Sequence, residues 1–241
     1  MEFVKETIFS NLKFPTESEI NIKNKVLYIT KWNWDYQECL LFQKKAQELI
    51  RSNRDHKVYI FTNHPHCFTL GRGNERGQNE LVDFDPALEE RLKFPIHKIH
   101  RGGGITFHFP GQWIFYPIVS INQKYSLDDH MCWMLKSVKD ILRDEFGLEK
   151  AMAAKKLMGV WLGRQKLASI GVGLNRFVTE HGLALNLVQD SKMFDEVKKI
   201  NPCGINPTTY ISLNEVLKNT EENLIQQFHK LYIKKLNRPI S

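Results

Sequence analysis

Apolar residues recur along the chain at two periods, and each marks a different kind of element. Residues 1–25 show no clear period and carry an Asn/Lys-rich stretch at 21–25, which predicts an extension ahead of the core. A short β-branched and aromatic run at 26–30 predicts a strand. Tyr36, Cys39, Phe42, Ala46, Leu49 and Ile50 then recur at intervals of three and four, the spacing of one helical face. The runs 58–62, 68–70, 96–100, 105–108 and 113–119 are short and rich in Val, Ile, Phe and Tyr, so the middle of the chain is expected to be mainly sheet.

A second helix opens with Ser126 and Asp129, a capping-box-like pair. It continues through Leu127, Met131, Leu135, Val138 and Leu142 and meets Gly147 as a C-terminal stop. Strands are expected again at 159–162, 166–172 and 183–187. Ser212 with Glu215 marks another helix start, and Leu224, Phe228, Leu231 and Tyr232 extend a helical pattern. Helices interspersed with antiparallel-looking strands, without regular βαβ alternation, favour an α+β fold. There is no repeat, linker or low-complexity segment, so a single domain over residues 1–241 is expected. Cys39 and Cys132 fall within helical patterns and are expected to pack.

Composition narrows the class. A chain of 241 residues with 42% hydrophobic and 11% aromatic content can bury a sizeable core. No apolar run reaches the roughly 20 residues needed to span a bilayer, and the first residues lack a signal-peptide pattern, so a cytoplasmic protein that does not enter membranes is expected. Cys39, Cys67, Cys132 and Cys203 are widely spaced, with no close pair suited to a metal or redox centre; no metal is expected. Lys and Arg outnumber Asp and Glu by 34 to 27, a formal charge of +7 that favours acidic partners. No long Lys/Arg block, zinc-finger or RNP-type pattern accompanies that charge, so nucleic acid is not an expected partner.

Four segments carry candidate chemistry. Residues 101–112 read Arg-Gly-Gly-Gly-Ile-Thr-Phe-His-Phe-Pro-Gly-Gln. Glycines there let backbone N–H groups approach a ligand, although the same run serves equally as a tight hairpin. Residues 163–171 set Lys166 at the start of an apolar strand, either against a site or as an exposed turn lysine. Residues 201–204 hold Cys203 between Pro and Gly in a loop, where a nearby cation such as protonated Lys166 would raise its thiolate fraction and a neutral Lys166 would take its proton; a lone loop cysteine is otherwise structural. Residues 179–186 couple His181 and Gly182 to an apolar strand whose small residues let a chain or backbone approach closely, or else hold a satisfied structural histidine at a strand entry.

Together these segments resemble the octanoyltransferases of lipoate biosynthesis, within the lipoate/biotin protein ligase fold family. The matching motifs are His64-Pro65, Leu70-Gly71-Arg72, 101–112, 163–171, 181–186 and Pro202-Cys203-Gly204, in the family's order. The resemblance implies a class II synthetase-like α+β domain with a mixed, mainly antiparallel sheet packed with helices. It implies that Cys203 is the acyl-thioester nucleophile and that Lys166 lowers its pKa or acts as its base. By the same resemblance Arg101, Gly102, Gly103, Gly104, Ile105, Thr106, Phe107, His108, Ser169, Ile170, Gly171, Gly182, Leu183 and Ala184 line the acyl pocket. Phe107 and Phe109 stand where the family pattern has Tyr and Gly, so the loop before Pro110 is bulkier and less polar.

The implied reaction moves octanoyl from acyl carrier protein to a lysine of a lipoyl domain, in a 2-oxoacid dehydrogenase complex or the glycine cleavage H protein, with no cofactor and no ATP. Four other readings stay open: an ATP-dependent lipoate or biotin ligase, which has no need of Cys203, a lipoyl-domain amidotransferase, a non-catalytic binding protein that keeps the acyl pocket, and a basic nucleic-acid-binding module.

Overall fold

The computed structural model describes residues 15–73, 90, 92–197, 199–200, 209–218 and 223–237. In chain order the elements are β1 (Ile20–Lys23), β2 (Val26–Lys31), α1 (Tyr36–Ser52), β3 (Lys57–Thr62), β4 (Cys67–Leu70), β5 (Ile96–Lys98), β6 (Ile105–His108), β7 (Gln112–Ile118) and α2 (Leu127–Asp144). After these come β8 (Ala151–Ala154), β9 (Gly159–Leu162), β10 (Gln165–Asn175), β11 (Val178–Asn186), α3 (Ser191–Val197), α4 (Leu213–Leu217) and α5 (Leu224–Leu236). Among the described residues no helix is long and apolar enough to cross a membrane.

The large sheet runs β1-β2-β3-β7-β11-β10-β9-β8, and a smaller one runs β5-β4-β6. Its pairs are antiparallel except β2 with β3, which α1 connects as a crossover. The α+β architecture with a mixed, mainly antiparallel sheet is therefore present.

Helices cover both faces of the large sheet, which explains why its central strands are apolar almost without interruption. Along β3 the side chains alternate between two cores. Val58 and Ile60 join Phe42 and Ile50 of α1, whereas Tyr59 and Phe61 join Met134 of α2 and Tyr232 of α5. On β7, Ile114, Tyr116 and Ile118 face α1 while Trp113 and Phe115 face α2 and α5. Phe61 stacks on Phe115 at 4.8 Å between ring centroids, and Tyr232 meets Phe115 edge-on at 5.2 Å.

The helix starts follow their capping residues. Asp35 accepts from the backbone N–H groups of Gln37 and Glu38 at 2.8 and 3.1 Å. Ser126 and Asp129 close a capping box, the Ser126 N–H donating to Asp129 at 2.9 Å and the Asp129 N–H to Ser126 Oγ at 3.1 Å. Past the end of α2, Gly147 takes a φ of +66°, and the Leu148 N–H reaches back to the Leu142 carbonyl at 3.0 Å.

Four expectations change. Residues 20–23, assigned to an extension, pair in register with β2 as the edge strand of the large sheet. β8 was not anticipated because its Ala-Met-Ala-Ala sequence has little strand propensity; pairing with β9 supplies what propensity does not. β11 begins at Val178 rather than 183, which puts His181 mid-strand. Cys132, expected to pack, is exposed: α2 buries His130, Met134 and Leu135, and position 132 lies on the opposite side of the helix. Cys39 is buried as expected.

Phe115 meets five aromatic rings, those of Tyr59, Phe61, Trp113, Trp133 and Tyr232. Phe115→Ala is expected to lower the unfolding free energy by about 3–5 kcal/mol in urea titrations. A loss below about 1 kcal/mol would contradict the packing described.

Candidate active site

A narrow cavity lies between the small sheet and the β10–β11 pair of the large one. Its glycine-rich wall is zipped to the turn after β4: the N–H groups of Gly71, Arg72 and Gly73 donate to the carbonyls of Gly104, Arg101 and Gly103 at 3.0–3.1 Å. The Gly102 N–H donates to the Val172 carbonyl on β10 at 3.1 Å. Position 71 has to be glycine, because a Cβ there would lie 2.3 Å from the Gly103 carbonyl oxygen. Arg101 fastens the loop from inside, its guanidinium donating to the Gly102 and Thr69 carbonyls and to both the Thr69 and Thr106 hydroxyls, each at 2.9 Å.

On the opposite wall, a bulge aims Lys166. β10 pairs with β9 through Lys166 and Trp161, then through Ala168 and Val160, with the register shifting between. Leu167 and Ala168 consequently both turn into the α2–α5 core, and Lys166 turns the other way, into the cavity. It is 2% exposed, with its Nζ 5.4 Å from the Trp161 ring and 5.9 Å from that of Tyr210. The Ile211 N–H donates to the Lys166 carbonyl at 3.2 Å, tying the segment after residue 208 to this position.

A line of buried polar groups crosses from one sheet to the other. Asn186 Nδ2 donates to the Ile211 carbonyl at 3.3 Å, and Gln112 Nε2 donates to Asn186 Oδ1 at 3.0 Å. Gln112 Oε1 is thereby left to accept from His108 Nδ1–H at 2.9 Å, and His108 Nε2 accepts from the Thr69 hydroxyl at 3.3 Å. Burial, the largest cause, and then His64 hold His108 well below the ordinary histidine pKa, consistent with this neutral tautomer.

Behind it, His64 donates from Nδ1 to the Trp34 carbonyl at 2.7 Å and accepts at Nε2 from the Tyr116 hydroxyl at 3.1 Å. Burial lowers its pKa to about 4. Burial, then Arg101, lowers that of His181 to about 3. Desolvation pushes the thiol of Cys67 up to about 12, which makes it inert.

Of the residues predicted for the pocket, Arg101, Gly103, Ile105, Thr106, Phe107, His108, Ser169, Ile170, Gly171, Gly182, Leu183 and Ala184 border this cavity, as does Lys166. Gly102 and Gly104 stand behind the lining and serve through their backbone bonds. Cys203 lies outside the described residues. The alternative of a satisfied structural histidine at position 181 does not hold among the described residues, where both of its ring nitrogens lack a hydrogen-bond partner.

Tyr36, Gln112, Tyr116, His181 and Asn186, none of them predicted as a pocket residue, also line the cavity. Gln112, His181 and Asn186 lay within the motifs already singled out; Tyr36 and Tyr116 sit in a helix and a strand whose periodicity reads only as core. Phe107 and Phe109 stack with centroids 6.1 Å apart and, with Phe68, form the wall under the small sheet.

As bounded by the described residues, the cavity measures about 60 Å³, room for on the order of five water molecules. Its walls mix apolar side chains such as Ile105, Phe107 and Leu183 with Arg101, His108 and Ser169, and Lys166 and His181 stand at its two ends. Such a shape suits a slender chain with its reactive group at the lysine. Among the described residues no group of three His, Cys, Asp or Glu side chains could hold a metal.

Comparison with known proteins agrees with this architecture. Residues 32–237 match the family model described as the lipoyl protein ligase A/B catalytic domain. The chain is 32% identical over 203 residues to an octanoyltransferase of Thermoanaerobacter sp. (strain X514), covering 82% of this chain and 86% of that one. It is 32% identical over 224 residues to an octanoyltransferase of Christiangramia forsetii, covering 88% and 92%. Among solved structures, a lipoate-protein ligase A bound with ATP superposes with a TM-score of 0.63 at 13% identity, covering 89% of this chain and 86% of that one, a likeness of fold alone.

The buried histidines give the chain an acid weakness. His64, His108, His130, His181 and His229 all have pKa values lowered by burial, to about 4, 4, 3 and 4 for His64, His130, His181 and His229. An unfolded histidine titrates near 6.5, so the unfolded chain binds more protons than the folded one below that pH, and stability falls as pH drops from about 6.5 toward 4. Urea unfolding at pH 7.5 and 5.5 is expected to show a clear loss at the lower pH; equal stability would mean that these rings are not held neutral.

Proposed function

Because this chain belongs to the lipoyl protein ligase A/B catalytic domain family, we propose that it transfers an octanoyl group from acyl carrier protein to a lysine of a lipoyl domain, through a thioester on Cys203. The observation that carries the reading is Lys166, a buried lysine that a bulge turns into the cavity; the sequence also carries the motif Pro202-Cys203-Gly204. The relatives matched at about a third identity are octanoyltransferases, whereas the ligase structures share the fold at 13% identity. This favours transfer of an already activated acyl group over ATP-dependent activation.

In the proposed cycle Lys166 and Cys203 share one proton. With the proton on Lys166, the Cys203 thiolate attacks the carrier thioester carbonyl, and backbone N–H groups stabilise the oxyanion. Collapse breaks the carbon–sulfur bond to the carrier, whose departing thiolate takes the proton from Lys166. The lysine amine of the acceptor then attacks the acyl-enzyme, its proton passes to the neutral Lys166, and the Cys203 thiolate leaves. Neither step consumes ATP.

The carrier is acidic by proposal and the chain carries +7, which suits electrostatic steering between them. The acceptors proposed are the lipoyl domains of 2-oxoacid dehydrogenase complexes and the glycine cleavage H protein, and the compartment proposed is the cytoplasm. The pocket roles of residues 101–108, 169–171 and 182–184 belong to the same proposal, supported by the cavity that most of them border.

Intact-protein mass spectrometry after mixing with octanoyl-acyl carrier protein, without ATP, is expected to show one octanoyl adduct on the wild type and none on Cys203→Ala. Lys166→Met is expected to slow adduct formation by on the order of 10²–10⁴-fold. Full turnover by Cys203→Ala, or transfer that needs ATP and free octanoate, would contradict the reading and indicate a ligase.

A further inference from the structure

The two ends of the cavity differ in a way that octanoyl transfer does not require. On β11 the side chains alternate: Leu183 and Leu185 enter the core with α2, while Ala184 faces α1. Regular alternation would send His181 to the side of Leu183. Its backbone instead takes a φ of +61°, a conformation that L-residues rarely adopt. The flip turns the His181 N–H to Gln43 Oε1 of α1 at 2.8 Å and brings the ring onto the cavity side, 6.1 Å from that of Tyr116.

A strained backbone thus holds an imidazole that is only 2% exposed, with neither ring nitrogen partnered among the described residues. Buried polar atoms are rarely left so, and an unmet pair inside a cavity points to a guest. The register locates that guest. His181 pairs with Val172, whereas Lys166 lies beyond the Ala168–Leu185 pair. The two side chains therefore mark opposite ends, roughly 20 Å of strand apart at about 3.3 Å per residue.

The ring's chemistry says what it can hold. Burial keeps it neutral, so it offers one donor and one acceptor. The Tyr116 hydroxyl gives its proton to His64 Nε2 and keeps a lone pair for a further donor. A hydroxyl, which both donates and accepts, answers such a set; a carboxylate only accepts and would leave the ring's acceptor nitrogen and the Tyr116 lone pair without a donor.

We propose that the end of the cavity opposite Lys166 is a subsite for a neutral hydroxyl held by His181. The hydroxyl belongs to a water molecule behind an unsubstituted acyl chain, or to an acyl chain hydroxylated at its far end. The acyl chain itself rests on the function proposed above.

Calorimetric titration of octanoate, 8-hydroxyoctanoate and nonanoate into the wild type, His181→Leu and His181→Asn tests it, because the last two acids have equal numbers of heavy atoms. The preference for 8-hydroxyoctanoate over nonanoate is expected to be about tenfold greater in the wild type than in His181→Leu. It is expected to persist in His181→Asn, which tolerates a left-handed backbone and keeps a donor and an acceptor. Octanoate bound more tightly than both longer acids by the wild type but not by His181→Leu would identify water as the hydroxyl.

Equal preference in wild type and His181→Leu, or no binding of any acid by the wild type, would overturn the subsite. Should His181→Leu fail to fold, tighter binding of nonanoate than of both other acids by the wild type would do the same. Octanoyl transfer from acyl carrier protein without ATP, assayed on the same preparations, separates the two proposals: its absence would overturn the transferase reading while the binding ratios still decide the subsite.

Discussion

The structure turns on a line of hydrogen bonds that runs from Arg101 through Thr69, His108, Gln112 and Asn186 to the carbonyl of Ile211. It joins β4 and β6 of the small sheet to β7 and β11 of the large one and continues to the segment that pairs with Lys166. Each bond contributes only about 1 kcal/mol net, but breaking one leaves a buried polar atom unmet, at a cost of about 1–3 kcal/mol. Because every member has one compatible donor or acceptor role, the line permits one arrangement of the two sheets around the cavity.

Two local irregularities then set what the cavity presents. At one end the bulge between Lys166 and Ala168 removes a lysine from a strand face that otherwise belongs to the core. At the other, the left-handed backbone of His181 does the same for an imidazole. Both depart from regular strand geometry within a sheet whose two faces are covered by helices, where regular alternation would have sent those side chains into hydrocarbon. At these two breaks the large sheet turns a lysine and an imidazole into the cavity, across from the buried Arg101, His108 and Gln112.

Much of the fold was legible because its strong elements carry unambiguous periods: the face of α1 from Tyr36 to Ile50, the capping box of Ser126 and Asp129, and the apolar runs of β3 and β7. What escaped notice has weak local signals. β8 is held by its partner rather than by its Ala-rich sequence, and β1 lies in an Asn/Lys-rich stretch that looks like a tail. For the site, glycines, Lys166 and His108 stood out as motif residues. The outward turn of Lys166 depends on a register shift against β9, and that of His181 on a positive φ, and neither is written in side-chain order. Tyr36 and Tyr116 line the cavity from elements whose spacing signals packing alone.

The central claim is that the buried Lys166 serves Cys203 as its proton partner. The pH dependence of Cys203 alkylation by iodoacetamide, followed on the Cys203 peptide in wild type and Lys166→Met, tests it most directly. If Lys166 stabilises the thiolate, the wild-type midpoint lies below the ordinary thiol value of about 8.5 and rises when the lysine is replaced. Superimposable profiles in the two proteins would contradict it.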